Sequence, residues 1–146
     1  MSSVIIEDNK NKISVYELGI KYLNNNEYDE AITYFKLAIK NNNNANLKLA
    51  DIYYDLSKFD LSELYYLNFL QASFDDVNYG YVYNCLGDVY LKLNNNEKSE
   101  LYYLKAVNKN YYDACVSLGL HYFNIEKYEL SEMYYLIAIE NNIYES

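Results

Sequence analysis

An all-α solenoid of four helix-turn-helix repeats is the fold this sequence predicts, and three observations predict it. The first is a Leu-small-x-x-Tyr pattern used four times: Leu18-Gly19 with Tyr22, Leu49-Ala50 with Tyr53, Leu86-Gly87 with Tyr90, and Leu118-Gly119 with Tyr122. Self-similarity at a regular period is the signature of stacked repeats. The second is a small residue twelve positions beyond each Gly or Ala (Ala31, Ser62, Ser99, Ser131), followed four further on by an aromatic (Phe35, Tyr66, Tyr103, Tyr135). The third is the spacing itself: intervals of three, four and seven put these side chains on one stripe of a helix, so each repeat reads as two amphipathic helices. No strand pattern competes.

Punctuation gives the boundaries. Asn24 to Asn26 and Asn94 to Asn96 separate first from second helices, and Asn41 to Asn44 separates two repeats, because Asn accepts the left-handed geometry that ends helices. The expected helices are 12–24, 28–41, 44–56, 60–72, 78–93, 97–109, 112–124 and 128–142. Residues 1–11 form an N-terminal arm, and 12–146 a single domain with repeats at about 12–43, 44–78, 79–110 and 111–142. Glycine at 19, 87 and 119 lies inside periodic apolar sequence, which points to close helix approach rather than a helix end. Further along stand Ala38, Phe69, Ala106 and Ala138, each followed by an aliphatic residue: Ile39, Leu70, Val107 and Ile139. Phe69 breaks the small column, so the second repeat is expected to pack differently. The spacing between Gly or Ala positions is 31, 37 and 32 residues. The excess falls between Gln71 and Asn78 and places a longer loop at Ser73-Phe74-Asp75-Asp76, read either as a plain connection or as a hinge.

Composition excludes several functions. The chain of 146 residues is 51% apolar, enough for a buried core, and its 21 acidic residues against 12 lysines and no arginine leave a net charge of −9. Phosphate contacts draw on basic side chains, so nucleic acid is not the expected partner. The first twelve residues lack a basic leader and a long apolar run, and no stretch approaches membrane-spanning length. Cys85 and Cys115 suit buried, reduced thiols, and a cytoplasmic location is expected.

Little chemistry stands out. His121 is the only histidine, one turn from Gly119, with no acid or nucleophile at an offset that would make it a base, and it reads as structural. The two cysteines lack zinc-ligand spacing, and no Gly-rich phosphate loop is present, so neither cofactor nor metal is expected. The 21 tyrosines fall mostly in repeat columns, where large side chains fill the space between helices; a stacking platform for single strands would need interleaved cations.

The Leu-Gly-x-x-Tyr, small, aromatic, Ala order resembles the tetratricopeptide repeat, and Glu27-Tyr28-Asp29-Glu30-Ala31 looks like that family's opening of its second helix. The doublets Tyr34-Phe35, Tyr65-Tyr66, Tyr102-Tyr103 and Tyr134-Tyr135 are similar to Sel-one-like repeats. Together they cover residues 12 to 142, without the Pro that often closes a tetratricopeptide unit. The resemblance implies a right-handed solenoid whose first helices line a concave groove. It points three positions per repeat into that groove: Tyr16, Ile20 and Leu23; Leu47, Asp51 and Tyr54; Asn84, Asp88 and Leu91; Val116, Leu120 and Phe123. Some of these would instead finish the packing between repeats. Tetratricopeptide domains that hold acidic chaperone tails use Lys, Arg and Asn at places where this chain has Tyr16, Ile20, Asn84 and Asp88, so that clamp is absent.

The function that follows is a non-enzymatic module binding a neutral or basic protein or peptide in its groove. Alternatives are an end-to-end self-assembling protein and a scaffold for a separate enzyme. Replacing Tyr54 and Asp88 by Ala is expected to weaken capture without disturbing the helices. Tyr128, Leu136, Ile139 and Ile143 would leave an apolar end face after the last repeat, suited to a homodimer through the C-terminal helix, unless 141–146 folds back over it.

Overall fold

The computed structural model describes residues 5–8, 11–74 and 79–144. It resolves into two compact units, 1–73 and 74–146. The first holds α1 (Val15–Asn24), α2 (Tyr28–Ala38), α3 (Asn44–Asp55) and α4 (Phe59–Ala72). The second holds α5 (Tyr79–Lys92), α6 (Asn96–Asn108), α7 (Asp113–Asn124) and α8 (Tyr128–Tyr144). Consecutive helices pair as four antiparallel hairpins, and α2 packs on α3 as α6 packs on α7. The eight helices follow the expected boundaries to within three residues.

One element was not expected. Strands β1 (Ile5–Asp8) and β2 (Asn11–Ser14) pair antiparallel, with Ile6 opposite Ile13. The helix expected from residue 12 therefore starts at Val15, where Ser14 and Glu17 form a reciprocal capping box: the Glu17 N–H donates to Ser14 Oγ at 3.2 Å and the Ser14 N–H to Glu17 Oε2 at 2.9 Å. That box fixes a helix start more sharply than apolar periodicity does.

Each column of the repeat has a separate physical task. Seven residues beyond each Gly or Ala, the chain takes a positive φ of 58 to 62° at Asn26, Ser57, Asn94 and Glu126. There the first helix closes with a Schellman turn: Glu27, Lys58, Asn95 and Lys127 donate their N–H to the carbonyls of Tyr22, Tyr53, Tyr90 and Tyr122 at 2.8 to 2.9 Å. Asn suits that conformation; Ser57 and Glu126 adopt it at some cost in strain. The same four tyrosines stack on the first member of each doublet, Tyr34, Tyr65, Tyr102 and Tyr134, with centroids 5.2 to 5.5 Å apart.

The second member of the doublet packs over the Gly column. A Cβ at Gly19 would stand 2.7 Å from the Phe35 ring, at Gly87 2.5 Å from Tyr103, and at Gly119 2.8 Å from Tyr135. The serine column ties the hairpin at the same level, where Ser62, Ser99 and Ser131 donate buried hydrogen bonds to the carbonyls of Ala50, Gly87 and Gly119 at 2.7 to 2.8 Å. In the first repeat Ala31 fills the place by packing alone. The second repeat keeps this geometry; its difference is Phe69, which is buried in the position of Ala38 and Ala106. Its carbonyl accepts from Asn43 Nδ2 at 3.0 Å. Of the longer loop, Ser73 and Phe74 are non-helical and residues 75–78 lie outside those described.

Candidate functional site

The twelve expected groove positions divide by unit. Tyr16, Ile20, Leu23, Leu47, Asp51 and Tyr54 are all half-buried. Tyr16, Ile20 and Leu23 pack on the core of the first unit, Tyr16 with its ring 5.5 Å from Phe35. Tyr54 lies edge-on to Phe59 at 5.4 Å, and Asp51 accepts a hydrogen bond from Tyr66. In the second unit Leu91, Val116, Leu120 and Phe123 are 43 to 54% exposed. Val116, Leu120 and Phe123 are spaced by four and three on α7, one open apolar stripe on a single helix face.

Beside that stripe, α5, α6 and α7 enclose a cleft of about 380 Å³. Asp88, Asn96, Tyr103, Ser117, His121 and Asn124 supply its polar lining, and Leu91, Leu120 and Ile125 its apolar part. Asp88 and Leu120, adjacent to the Gly columns, were expected to share a surface, and Leu91 with them. Asn84, Val116 and Phe123 do not line the cleft. The buried Asn84 Oδ1 has no hydrogen-bond partner.

Tyr103 donates its phenol proton to Asp88 Oδ1 at 2.5 Å. Burial raises the Asp88 carboxyl above its ordinary value, against weaker pulls downward from that hydrogen bond and from Lys92. Burial also pushes the Tyr103 phenol far up, aided by the Asp88 hydrogen bond and charge. Replacing Asp88 by Ala is therefore not the neutral surface change expected from sequence, since it strands a buried phenol without its acceptor. Asp88→Asn keeps an acceptor.

The raised carboxyl also sets a pH dependence. A group that binds its proton more tightly when folded contributes stability that is present below its unfolded pKa, about 4 for Asp, and lost as pH rises through the folded value. Asp88→Asn abolishes that loss. The urea midpoint of the variant relative to wild type is expected to climb as the pH rises above about 4; a pH-independent difference would contradict a buried, ionised Asp88.

His121 is buried with Nε2 3.5 Å from Glu100 Oε2, and Glu100 Oε1 accepts from Tyr122 at 2.5 Å. This cluster ties α6 to α7, and the same His121 side chain also lines the cleft. Cys115 is buried and Cys85 half-buried, and neither is in a disulfide. Among the described residues no three His, Cys, Asp or Glu side chains come together as metal ligands. Nor is any helix long and apolar enough to cross a membrane.

Of the expected end face, Tyr128, Leu136 and Ile139 are exposed, and the Ile143 side chain lies outside the described residues. Tyr128 does not sit with the others: its ring lies 5.5 Å from Phe123, edge-on, at the turn joining α7 to α8. The segment from Asn141 does not fold back, because α8 runs on to Tyr144; residues 145–146 lie outside those described.

Sequence reasoning missed Asn96, Tyr103, Ser117, Asn124 and Ile125 in the cleft. The signal for Tyr103 lies in comparing the repeats. Where Asp follows the Gly column, at Asp51 and Asp88, the aromatic fifteen residues on is a tyrosine that bonds to it; where Ile20 stands the aromatic is Phe35, and where Leu120 stands it is Tyr135, so the Asp and not the Tyr marks the pair.

The tetratricopeptide-repeat family model matches residues 14–44 and 80–108. These two segments, the first repeat and the heart of the third, match tetratricopeptide repeats, and the chain has an all-α repeat fold of that kind. A crystal structure of MamA is similar over 90% of this chain and 78% of its own, with a TM-score of 0.78 at 18% identity. A second MamA structure covers 86% of this chain and 70% of its own, with a TM-score of 0.74 at 23% identity. At such identity the likeness is one of fold. No curated protein matches the chain by sequence.

Proposed function

We propose that this chain is a non-enzymatic interaction module that holds a neutral or basic protein or peptide on the first-helix face of its repeats, chiefly on α5 and α7. The observation that carries the reading is the contrast between the units. Leu91, Val116, Leu120 and Phe123 are open, whereas the corresponding positions on α1 and α3 are half-buried. A contiguous apolar stripe beside a cleft is the kind of surface that marks an interaction site, and the inner helices of solenoids are where partners are held. The net charge of −9 and Asp88 on the same face disfavour an acidic partner. The test is native capture with wild type against the double variant Leu120→Glu, Phe123→Glu.

A second reading is supported by the aliphatic column after the small residues. Ile39, Leu70 and Val107 are half-buried, while Ile139 at the same place in the last repeat is 55% exposed. A two-fold dimer of α8 on α8 would cover Ile139 and Leu136, and two-fold pairing is the commonest closed solution. Light scattering is expected to give a dimer for wild type and a monomer for Ile139→Glu. A wild type that stays monomeric at high concentration removes this reading and leaves the first untouched.

A further inference from the structure

We infer that the α5–α6–α7 cleft is a receptor for one lysine or arginine side chain of the partner, with the cationic head on Asp88 and the aliphatic stem against Leu91, Leu120 and Ile125. The inference rests on the partner-binding reading above and adds the chemistry of the group that is bound.

Three observations carry it. First, Asp88 is half used: Oδ1 accepts from Tyr103, while Oδ2 has no donor among the described residues. Lys92, one turn further along α5, bears on the carboxylate only through its field and forms no ion pair with it. Second, the groups facing Asp88 from the other helices supply no competing cation. Tyr103 from α6 is committed as a donor, Ser117 on α7 is neutral, and His121 on α7 is turned to Glu100. Third, the space is small and two-sided. At about 380 Å³ it lies near the lower end for ligand sites, roughly 300–1,000 Å³, with a polar side and an apolar side.

A ligand must match both sides. A neutral aliphatic group would fill the apolar side and shut Asp88 further from water without a counter-charge, which is costly. A carboxylate would be repelled outright. Lysine and arginine match both requirements, because their methylene stems bury on apolar surface while their heads seek an anion. The fork of donors on arginine suits the free Oδ2 together with the Tyr103 oxygen. The net charge of −9 favours the encounter with a cation.

The full chain, labelled with nitrogen-15, is titrated with N-acetyl-lysine-N-methylamide and, separately, with the norleucine compound, which has a similar stem and no charge. The lysine probe is expected to shift the amides of Asp88, Leu91, Leu120 and His121, to bind at least tenfold more tightly than the norleucine probe, and to weaken with added salt. Asp88→Asn, checked for an unchanged spectrum elsewhere, is expected to remove that preference. Equal binding of the two probes to wild type overturns the inference, whatever the variant does, and so does a lysine probe that leaves α5 and α7 unshifted. Either result leaves the partner-binding reading standing, because that reading is decided by capture with the Leu120 and Phe123 variant. Loss of the lysine preference together with capture that ignores α7 would sink both.

Discussion

Replacing Gly87 by Leu is expected to lower the stability of the chain by about 3 kcal/mol or more, the upper end of what overpacking costs. The site leaves no room: even a Cβ would stand 2.5 Å from the Tyr103 ring. That ring is itself fixed, buried between α5 and α6 with its hydroxyl on Asp88, and Ser99 ties α6 to the Gly87 carbonyl at 2.8 Å. The second repeat sets a scale, since Ala50 occupies the same column with Tyr66 still buried beside it. One methyl is thus accommodated by a small shift of the ring, and Gly87→Ala is expected to cost about 1 kcal/mol. A branched four-carbon side chain has no such escape. The Leu variant should melt roughly 6–12 °C lower by circular dichroism, at about 2–4 °C per kcal/mol. An unchanged melting temperature would mean that the helices do not cross at Gly87.

Most of the fold was legible in the sequence because the repeat states each contact four times. A glycine that is followed by periodic apolar sequence, with an aromatic at a constant later position, has one simple reading, and the rings of Phe35, Tyr103 and Tyr135 over the Gly column agree with it. The asparagine turns were legible for the same reason, through Asn26 and Asn94; Ser57 and Glu126 adopt the same backbone without the residue type that announces it. The β1–β2 hairpin was not legible, since it occurs once and its short strands lack a repeat to compare with.

The site was harder to read than the fold. Column positions told which residues lie on first helices, but not which of them are covered by packing. Tyr16 and Ile20 are as apolar as Leu120 and Phe123, and what separates them is that the former are half-buried against their core while the latter are open. Asp88 looked like a surface acid because a carboxylate on a helix usually is one; its bond to Tyr103 appears only when two helices are placed side by side.

The central claim is that α5 and α7 present the surface that holds a partner, and one measurement tests it most directly. Wild type, Leu120→Glu with Phe123→Glu, and the control Leu101→Glu are immobilised, and proteins retained from a lysate of the cells that make the chain are quantified. All three proteins should melt alike, because Leu101, Leu120 and Phe123 are exposed. Anchors at the centre of an interface cost about 2 kcal/mol or more when lost. The α7 double variant is therefore expected to retain its partner about thirtyfold more weakly, while the α6 control retains it as wild type does. Equal recovery of the same proteins by wild type and by the α7 double variant would contradict the account.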